Sequence, residues 1–306
     1  MASRHSVPLV SRTYEALLQE PEVDAVYIPL HNSVHKEWAL RAAAAGKHVL
    51  CEKPLGMNAF EAEEMGAGAE RAGVLLMEAF MYRFHPRLRD FVAGLCDPMY
   101  VNATFGFTLR DRENFRMKKE FGGGALLDVG CYTVSVARWI LGEPVGVDAS
   151  ARLSEGADGV DMTVSGLLRF GGGATASVWA SFEGPEEQEL TVVTKKGRER
   201  LERPFSSMEP NPYQLMVESF AQSVLGGYPV ELPVSDSVAN MRVLDRIRNA
   251  ALRENHKGDG GGRGAAMPAV VGDVGVGAMC WGRTSLEGEP GRGQGSWGDA
   301  GGTAAQ

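Results

Sequence analysis

Two places in the chain combine side chains of unlike chemistry at short spacing. In "HVLCEKPLGMN", residues 48–58, Lys53 stands between a carboxylate, Glu52, and a proline, Pro54, where an apolar run ends. Pro54 biases Lys53 towards extended backbone, which points its side chain out of the strand end. In "GGGALLDVGCYTVSVARWILGEP", residues 122–144, Asp128 and Tyr132 are four positions apart. On a helix that spacing puts both side chains on one face, one turn from each other, where they can reach one ligand. Each group also has an ordinary explanation, since a carboxylate near a helix start is favoured by the helix dipole and a tyrosine serves as a core aromatic. The three glycines at 122–124 weigh against it. A glycine costs roughly 1 kcal/mol in a regular element and is tolerated where backbone must approach something closely.

The elements that position these groups follow from the periodicity. "SRTYEALLQEP" reads as a short helix closed by Pro21, and "VDAVYIPL" as an apolar strand buried on both faces. "SVHKEWALRAAAAG" predicts a helix with Ser33 as its N-cap and Gly46 past its end, followed by the strand "KHVLCE". Asn58 and Glu61 have capping-box-like spacing ahead of a helix ending at Gly73, and "VLLMEAF" is the next strand. Strand, helix, strand, helix, strand implies a parallel sheet, whose ligand crevice lies outside the carboxyl ends of the strands. Three sets of residues should meet there: Pro29, Leu30, His31, Asn32 and His35; then Glu52, Lys53 and Pro54; then Tyr82, Arg83, Phe84, His85 and Pro86. Loops are polar in any protein, so no one of these residues decides the matter. Three consecutive strands ending this way are less easily dismissed.

From about residue 96 the pattern changes to period two, in "MYVNATFGFTL", "VDMTVSGLLRF", "GATASVWASFE" and "QELTVVTKKGRERLE". Short Gly- or Pro-bearing turns join them, which predicts an open, largely antiparallel sheet. The glycine-led helix interrupts it, and "NPYQLMVESFAQSVLGG" and "SDSVANMRVLDRIRNAALREN" follow as helices. The expected organisation is α/β: a parallel sheet over residues 1–95, an α+β domain over 96–257, and a glycine-rich disordered tail over 258–306. Within the tail, "GDVGVGAM" lacks a preceding strand and a Lys-Ser/Thr pair, so it does not read as a phosphate loop.

Composition limits the function. A chain of 306 residues with 44% apolar and 23% charged residues is ordinary globular material for two domains. The net charge of -8, without any basic block, argues against a nucleic-acid partner. No segment has the about 18 consecutive apolar residues of a membrane span, and the N-terminal stretch has no signal-peptide core, so a cytoplasmic address is expected and no membrane partner. Cys51, Cys96, Cys131 and Cys280 are scattered without a CxxC pair, which predicts buried free thiols and no metal site.

Three stretches, "VDAVYIPLHNSVHKEWALRAAAAGKHVLCEKPL", "EAFMYRFHP" and "GGGALLDVGCYTVSVARWILG", resemble the glucose-fructose oxidoreductase, inositol dehydrogenase and rhizopine-catabolism (Gfo/Idh/MocA) family of NAD(P)-dependent oxidoreductases. The likeness spans about residues 10 to 255. A tyrosine at 132, where other branches carry histidine, is most similar to the D-xylose dehydrogenase and dihydrodiol dehydrogenase branch. The resemblance implies a Rossmann domain, a second domain whose open sheet forms a homodimer interface, NADP or NAD as cofactor, and a sugar or cyclic diol as substrate. It implies Lys53 as the catalytic lysine, Tyr132 as the acid/base residue and Asp128 as the carboxylate that holds substrate. Pro29, Leu30, Asn32, His35, Glu52, Lys53 and Pro54 match positions near the cofactor, and Arg83 and His85 match the segment bordering the site. The Lys-Pro bond is often cis in such proteins.

A tyrosine with a pKa near 10 is a poor base at neutral pH, and a neighbouring ammonium favours its phenolate. The pair would then take the hydroxyl proton as hydride leaves the same carbon. One departure stands out. The resemblance calls for a strand, a G-x-G-x-x-G/A turn, a helix and a second strand before "VDAVYIP", a unit of at least roughly 30 residues. Only 22 residues precede Val23. The expectation is therefore a Rossmann sheet lacking its first nucleotide-binding unit, with activity lost accordingly, or a non-catalytic carbohydrate-binding or scaffolding relative.

Overall fold

The structure is a computed structural model that describes residues 7–156, 159–206, 208–258 and 279–282. Helix α1 (Tyr14–Leu18) is capped by Thr13, whose hydroxyl accepts the Ala16 N–H at 3.1 Å. Strand β1 (Val23–Ile28) leads through a 3₁₀ turn at Asn32–Val34 into α2 (His35–Ala44). Ser33 lies inside that turn rather than capping α2, and its hydroxyl meets Nδ1 of His31 at 3.0 Å. After β2 (His48–Cys51), helix α3 (Ala59–Ala72) begins as its spacing predicts. Asn58 accepts the Glu61 N–H at 2.9 Å, and the Glu61 carboxylate accepts the Met57 N–H at 2.9 Å. Gly73 closes the helix in the left-handed region at φ 67°. Strand β3 (Leu76–Glu78) and helix α4 (Pro86–Gly94) complete this part.

Strands β1, β2 and β3 pair in parallel in that order, so Pro29, Lys53 and Ala79 all follow carboxyl ends on one side of the sheet. The other edge of β1 carries β10 (Met279–Gly282), which runs antiparallel to it. Residues 279–282 thus depart from the disorder expected of 258–306, and the last helix, Val234–Gly258, reaches the first residue of that range. The remainder of that segment, including most of "GDVGVGAM", lies outside the described residues.

The second sheet has the order β5-β6-β7-β4-β8-β9, formed by β5 (Pro144–Leu153), β6 (Asp161–Phe170), β7 (Thr175–Ser181), β4 (Pro98–Gly106), β8 (Glu187–Thr194) and β9 (Gly197–Glu202). All its pairings are antiparallel except β4 with β7. Strand β5 was not foreseen from the sequence. It is an edge strand with one sheet neighbour, and although Asp148, Ser150 and Arg152 alternate with Val147, Ala149 and Ala151, its inward residues are small and only Pro144 and Ala149 are fully buried. "QELTVVTKKGRERLE" divides at Lys195 and Lys196 into β8 and β9.

Helix α5 (Cys131–Leu141) lies across β4 and β7, with every residue from Cys131 to Arg138 buried. Helix α6 (Pro212–Gly226) packs on the segment 81–84, and α7 (Val234–Gly258) joins the two halves by packing on α3, α5 and β5. Among the described residues only the stretch Lys119–Leu141 is long and apolar enough to cross a membrane, and 78% of its apolar window is buried in the core. Cys51 and Cys131 are buried thiols, whereas Cys96 is exposed, against expectation.

The glycines at 122–124 have a steric reason. Gly122 and Gly124 take φ 78° and 114°, and a side chain at Gly123 would run into the Arg116 carbonyl, one at Gly124 into the Asp161 carboxylate. Gly123→Ala should therefore lower unfolding free energy by about 2 kcal/mol. Gly94→Ala, with nothing within 4 Å, should change it by less than about 0.5 kcal/mol. Urea unfolding of the two variants is the check.

Candidate active site

Lys53 leaves the end of β2 through a cis bond to Pro54, and its side chain crosses to the second sheet's helix. Its ammonium donates to the Asp128 backbone carbonyl at 2.8 Å and to Asp128 Oδ1 at 3.0 Å. Both side chains are well enclosed, 14% and 12% exposed. Asp128 lies in a π-type turn, Leu126–Gly130, that precedes α5, and Tyr132 is in the first turn of α5. The Lys53 ammonium stands 5.1 Å from the centre of the Tyr132 ring. Thus the three residues predicted to act together do meet, and they arrive from different sheets.

Local structure explains how the turn holds. Its start lacks a cap of its own, and the Leu126 N–H is taken by Asp161 from β6 at 2.6 Å. Arg116, from the 3₁₀ turn Phe115–Met117, donates Nε to Asp128 Oδ2 at 2.7 Å. Asn32 donates to the Gly122 carbonyl at 2.8 Å, tying the end of β1 to the glycine segment.

Burial and charge act against each other here. Burial alone would discharge Lys53, but Asp128, followed by Cys131 and Glu52, holds the ammonium above the ordinary lysine range. Burial likewise opposes the Asp128 carboxylate, and Lys53 and Arg116 outweigh it, leaving the pKa below the usual value. Tyr132 goes the other way. Burial pushes its phenol well above 10, and Tyr213, Glu52, Cys131 and Asp128 add to the shift. The expected phenolate-favouring effect of Lys53 does not prevail, because burial is the largest influence on the phenol. Tyr132 also sits among Phe80, Tyr82, Phe105 and Phe205, at centroid distances of 5.4 to 5.5 Å.

The other predicted residues divide. Pro29 and Leu30 wall a half-open apolar depression at the carboxyl end of β1, together with Tyr14, Tyr27 and Trp38. Its apolar and aromatic lining suits a flat ring. Glu52 is partly buried: the Tyr27 hydroxyl donates to Oε1, and Oε2 accepts the Lys53 N–H at 3.2 Å. His35 is 0% exposed, with Nδ1 at 2.9 Å from the Pro54 carbonyl and Nε2 at 2.7 Å from the Leu30 carbonyl. It joins two strand-end loops from within and presents no free nitrogen to a cofactor. Arg83 stacks over Trp139 at 4.1 Å and lies 3.8 Å from Asp236, so it is not brought to the Lys53 group. His85 caps α4 by accepting the Arg87 N–H at 3.1 Å. Among the described residues no three His, Cys, Asp or Glu side chains are grouped to hold a metal ion.

Sequence reasoning missed Arg116, Tyr27, Tyr213 and Asp161. Arg116 precedes Asp128 by twelve positions in an irregular segment, so no period links them. Tyr213 opens α6, and its phenol is raised to about 12 by burial and then by Glu52. The one available signal for it was the Asn211-Pro212 helix start.

Comparison with known proteins gives the family and the fold. The model of the oxidoreductase family with an NAD-binding Rossmann fold matches residues 1–80, and that of the GFO/IDH/MocA C-terminal domain matches 93–200. The first match corrects the expectation of a missing nucleotide-binding unit: the Rossmann domain is present, and β1 to β3 belong to it. The chain is 39% identical to D-xylose 1-dehydrogenase (NADP(+)) 2 of Haloferax volcanii over 82% of this chain and 85% of that one. It is 34% identical to trans-1,2-dihydrobenzene-1,2-diol dehydrogenase of Xenopus tropicalis over 64% and 61%. Among solved structures, it resembles an aldose-aldose oxidoreductase of Caulobacter crescentus complexed with glycerol, with TM-score 0.77, 25% identity, and coverage of 83% and 85%. A 3-ketoreductase of Actinomadura kijaniata in complex with NADP and TDP-benzene aligns with TM-score 0.76 and 29% identity over 81% and 84%.

Asp161 gives this site a pH signature. Burial raises its carboxyl to about 6, the Leu126 N–H opposing in part. The folded state then holds a proton more tightly than the unfolded one, so stability falls as pH rises from about 4 to 6 and is level above. Because the side chain is only partly enclosed by accessible surface, the fall should be no more than about 2 kcal/mol. Asp161→Asn should flatten that slope in urea unfolding between pH 4 and 7.

Proposed function

This chain belongs to the GFO/IDH/MocA family of NAD(P)-dependent oxidoreductases, and from that premise we propose that it oxidises or forms a secondary hydroxyl of a sugar or cyclic diol, with Tyr132 handling the hydroxyl proton. The carrying observation is the convergence of Lys53, Asp128 and Tyr132 from two sheets, with the ammonium 3.0 Å from the carboxylate and 5.1 Å from the ring centre. The relatives named above are dehydrogenases, reductases or oxidoreductases of sugars and diols, which supports the substrate class and lends none to a non-catalytic scaffold.

The bound nicotinamide dinucleotide supplies or accepts the hydride. Pro29, Leu30 and Lys53 are the residues that would hold it. Lys53, kept charged by Asp128, stabilises negative charge growing on the substrate oxygen, and Arg116 keeps Asp128 aligned for that purpose. Tyr132 stays protonated at neutral pH, so it is ready to donate to a carbonyl oxygen being reduced. In the reverse direction it must lose that proton first. Oxidation is therefore favoured by alkaline pH and reduction by neutral pH.

The open face of the second sheet supports a homodimer. Val145, Leu153, Leu167 and Met99 are exposed apolar residues on its strands, which a second copy would cover.

Steady-state kinetics with D-xylose and related sugars against NADP and NAD tests the assignment. Lys53→Met and Tyr132→Phe should each lower kcat by about 10² to 10⁴-fold with substrate binding retained. Turnover at the parental rate in either variant removes the proposed roles.

A further inference from the structure

The end of β3 carries a carboxyl that the proposed chemistry does not use. Glu78 is 1% exposed, lies beside Cys51 across the β2–β3 pairing, and accepts the Leu55 N–H at 2.8 Å through Oε1. Leu55 is two residues from Lys53. Ser237 of α7 is close enough to act on its ionisation, yet Glu78 Oε2 and the Ser237 hydroxyl are both buried without a completed hydrogen bond. Next to Ser237, Asp236 receives Arg138 of α5 at 3.1 Å and lies 3.8 Å from Arg83. Asn240 of α7 donates to the Cys131 carbonyl at 3.2 Å, immediately before Tyr132. Buried polar groups therefore line up from the lysine turn through Glu78 to the start of α7 and the tyrosine helix, with the step between Glu78 and Ser237 not hydrogen-bonded.

We propose that Glu78 is a positioning residue for Lys53: its carboxyl passes the seat of helix α7 to the Leu55 amide, and through the Lys53–Leu55 turn to the ammonium. A buried carboxyl with one oxygen committed and one unpartnered is costly as an anion and cheaper with a proton that Ser237 can receive. Burial accordingly raises its pKa to about 7, with Asp236 raising it and the Ser237 hydroxyl, the Leu55 amide and Arg138 lowering it. The charged and titratable groups around it are Asp236 of α7, Arg138 and Cys131 of α5, Cys51 of β2 and Arg83 on the segment that follows β3. Losing the proton adds a negative charge near the lysine turn and strengthens the hold on the Leu55 amide. The state of Glu78 is thus felt at Lys53 across neutral pH.

The inference rests on the proposed role of Lys53, and its test separates the two. Full-length protein labelled with ¹³C at lysine Cε is titrated by NMR, the Lys53 resonance being assigned by its loss in Lys53→Met. In the parent that resonance should shift with an inflection near pH 7. Glu78→Gln, which keeps an acceptor for Leu55 but cannot titrate, should abolish the inflection while leaving the fold intact by circular dichroism. An inflection unchanged in Glu78→Gln, or absent from the parent, overturns the proposal whether or not the protein turns over a sugar. In turnover, Glu78→Leu should lower kcat about tenfold or more with KM within about threefold, and Glu78→Gln should restore most of it. A Glu78→Leu enzyme with parental kcat also overturns it.

Discussion

The structure turns on one buried ion pair, Lys53 with Asp128. Placing two charges where each side chain is 14% exposed or less costs several kcal/mol of hydration, which mutual attraction offsets only if the remaining hydrogen-bonding capacity is met. Here it is met closely. The ammonium also takes the Asp128 backbone carbonyl, and the second carboxylate oxygen takes Arg116. Two cations share the Asp128 carboxylate, and Glu52 lies beside the lysine as a second acidic group. Removing either partner would strand a charge in the interior, so the loss of one side chain destabilises more than the pair itself contributes.

Everything near the pair serves its geometry. The three glycines let the chain pass under Arg116 and beside Asp161, Asp161 caps the turn that presents Asp128, and Asn32 ties that passage to the end of β1. On the lysine's side, consecutive peptide groups are held by different side chains: Glu52 on the Lys53 N–H, His35 on the Pro54 carbonyl and Glu78 on the Leu55 N–H. Such supporting contacts keep a reactive group within the narrow tolerance that catalysis requires. They also occupy both ring nitrogens of His35 and both carboxylate oxygens of Glu52 within the protein.

The proton chemistry follows from which effect is larger at each group. At Lys53 and Asp128, attraction at about 3 Å exceeds the penalty of burial, and both remain charged. At Tyr132 no comparable partner opposes burial. The aromatic cage of Phe80, Tyr82, Phe105 and Phe205 keeps the phenol protonated and sets the tyrosine ring against the ammonium. A ring of apolar residues thereby makes Tyr132 a better donor than acceptor at neutral pH, a direction that residue types alone do not disclose.

Much was legible in the chain before any fold was known. Apolar runs ending in polar clusters located three parallel strands and their carboxyl ends, because buried strands must be continuous and their ligands must lie beyond them. The four-residue spacing put Asp128 and Tyr132 together, because helical geometry is local. The edge strand β5 and the pairing of residues 279–282 with β1 escaped, since small inward residues on an edge strand bury little and a distant pairing has no period. Arg116 on Asp128, Glu78 on Leu55 and the inward turn of His35 and Arg83 escaped for the same reason. Periodicity records which face of one element is buried, whereas the partner of a polar group and the balance between its desolvation and its neighbours' charge exist only once distant segments are packed together.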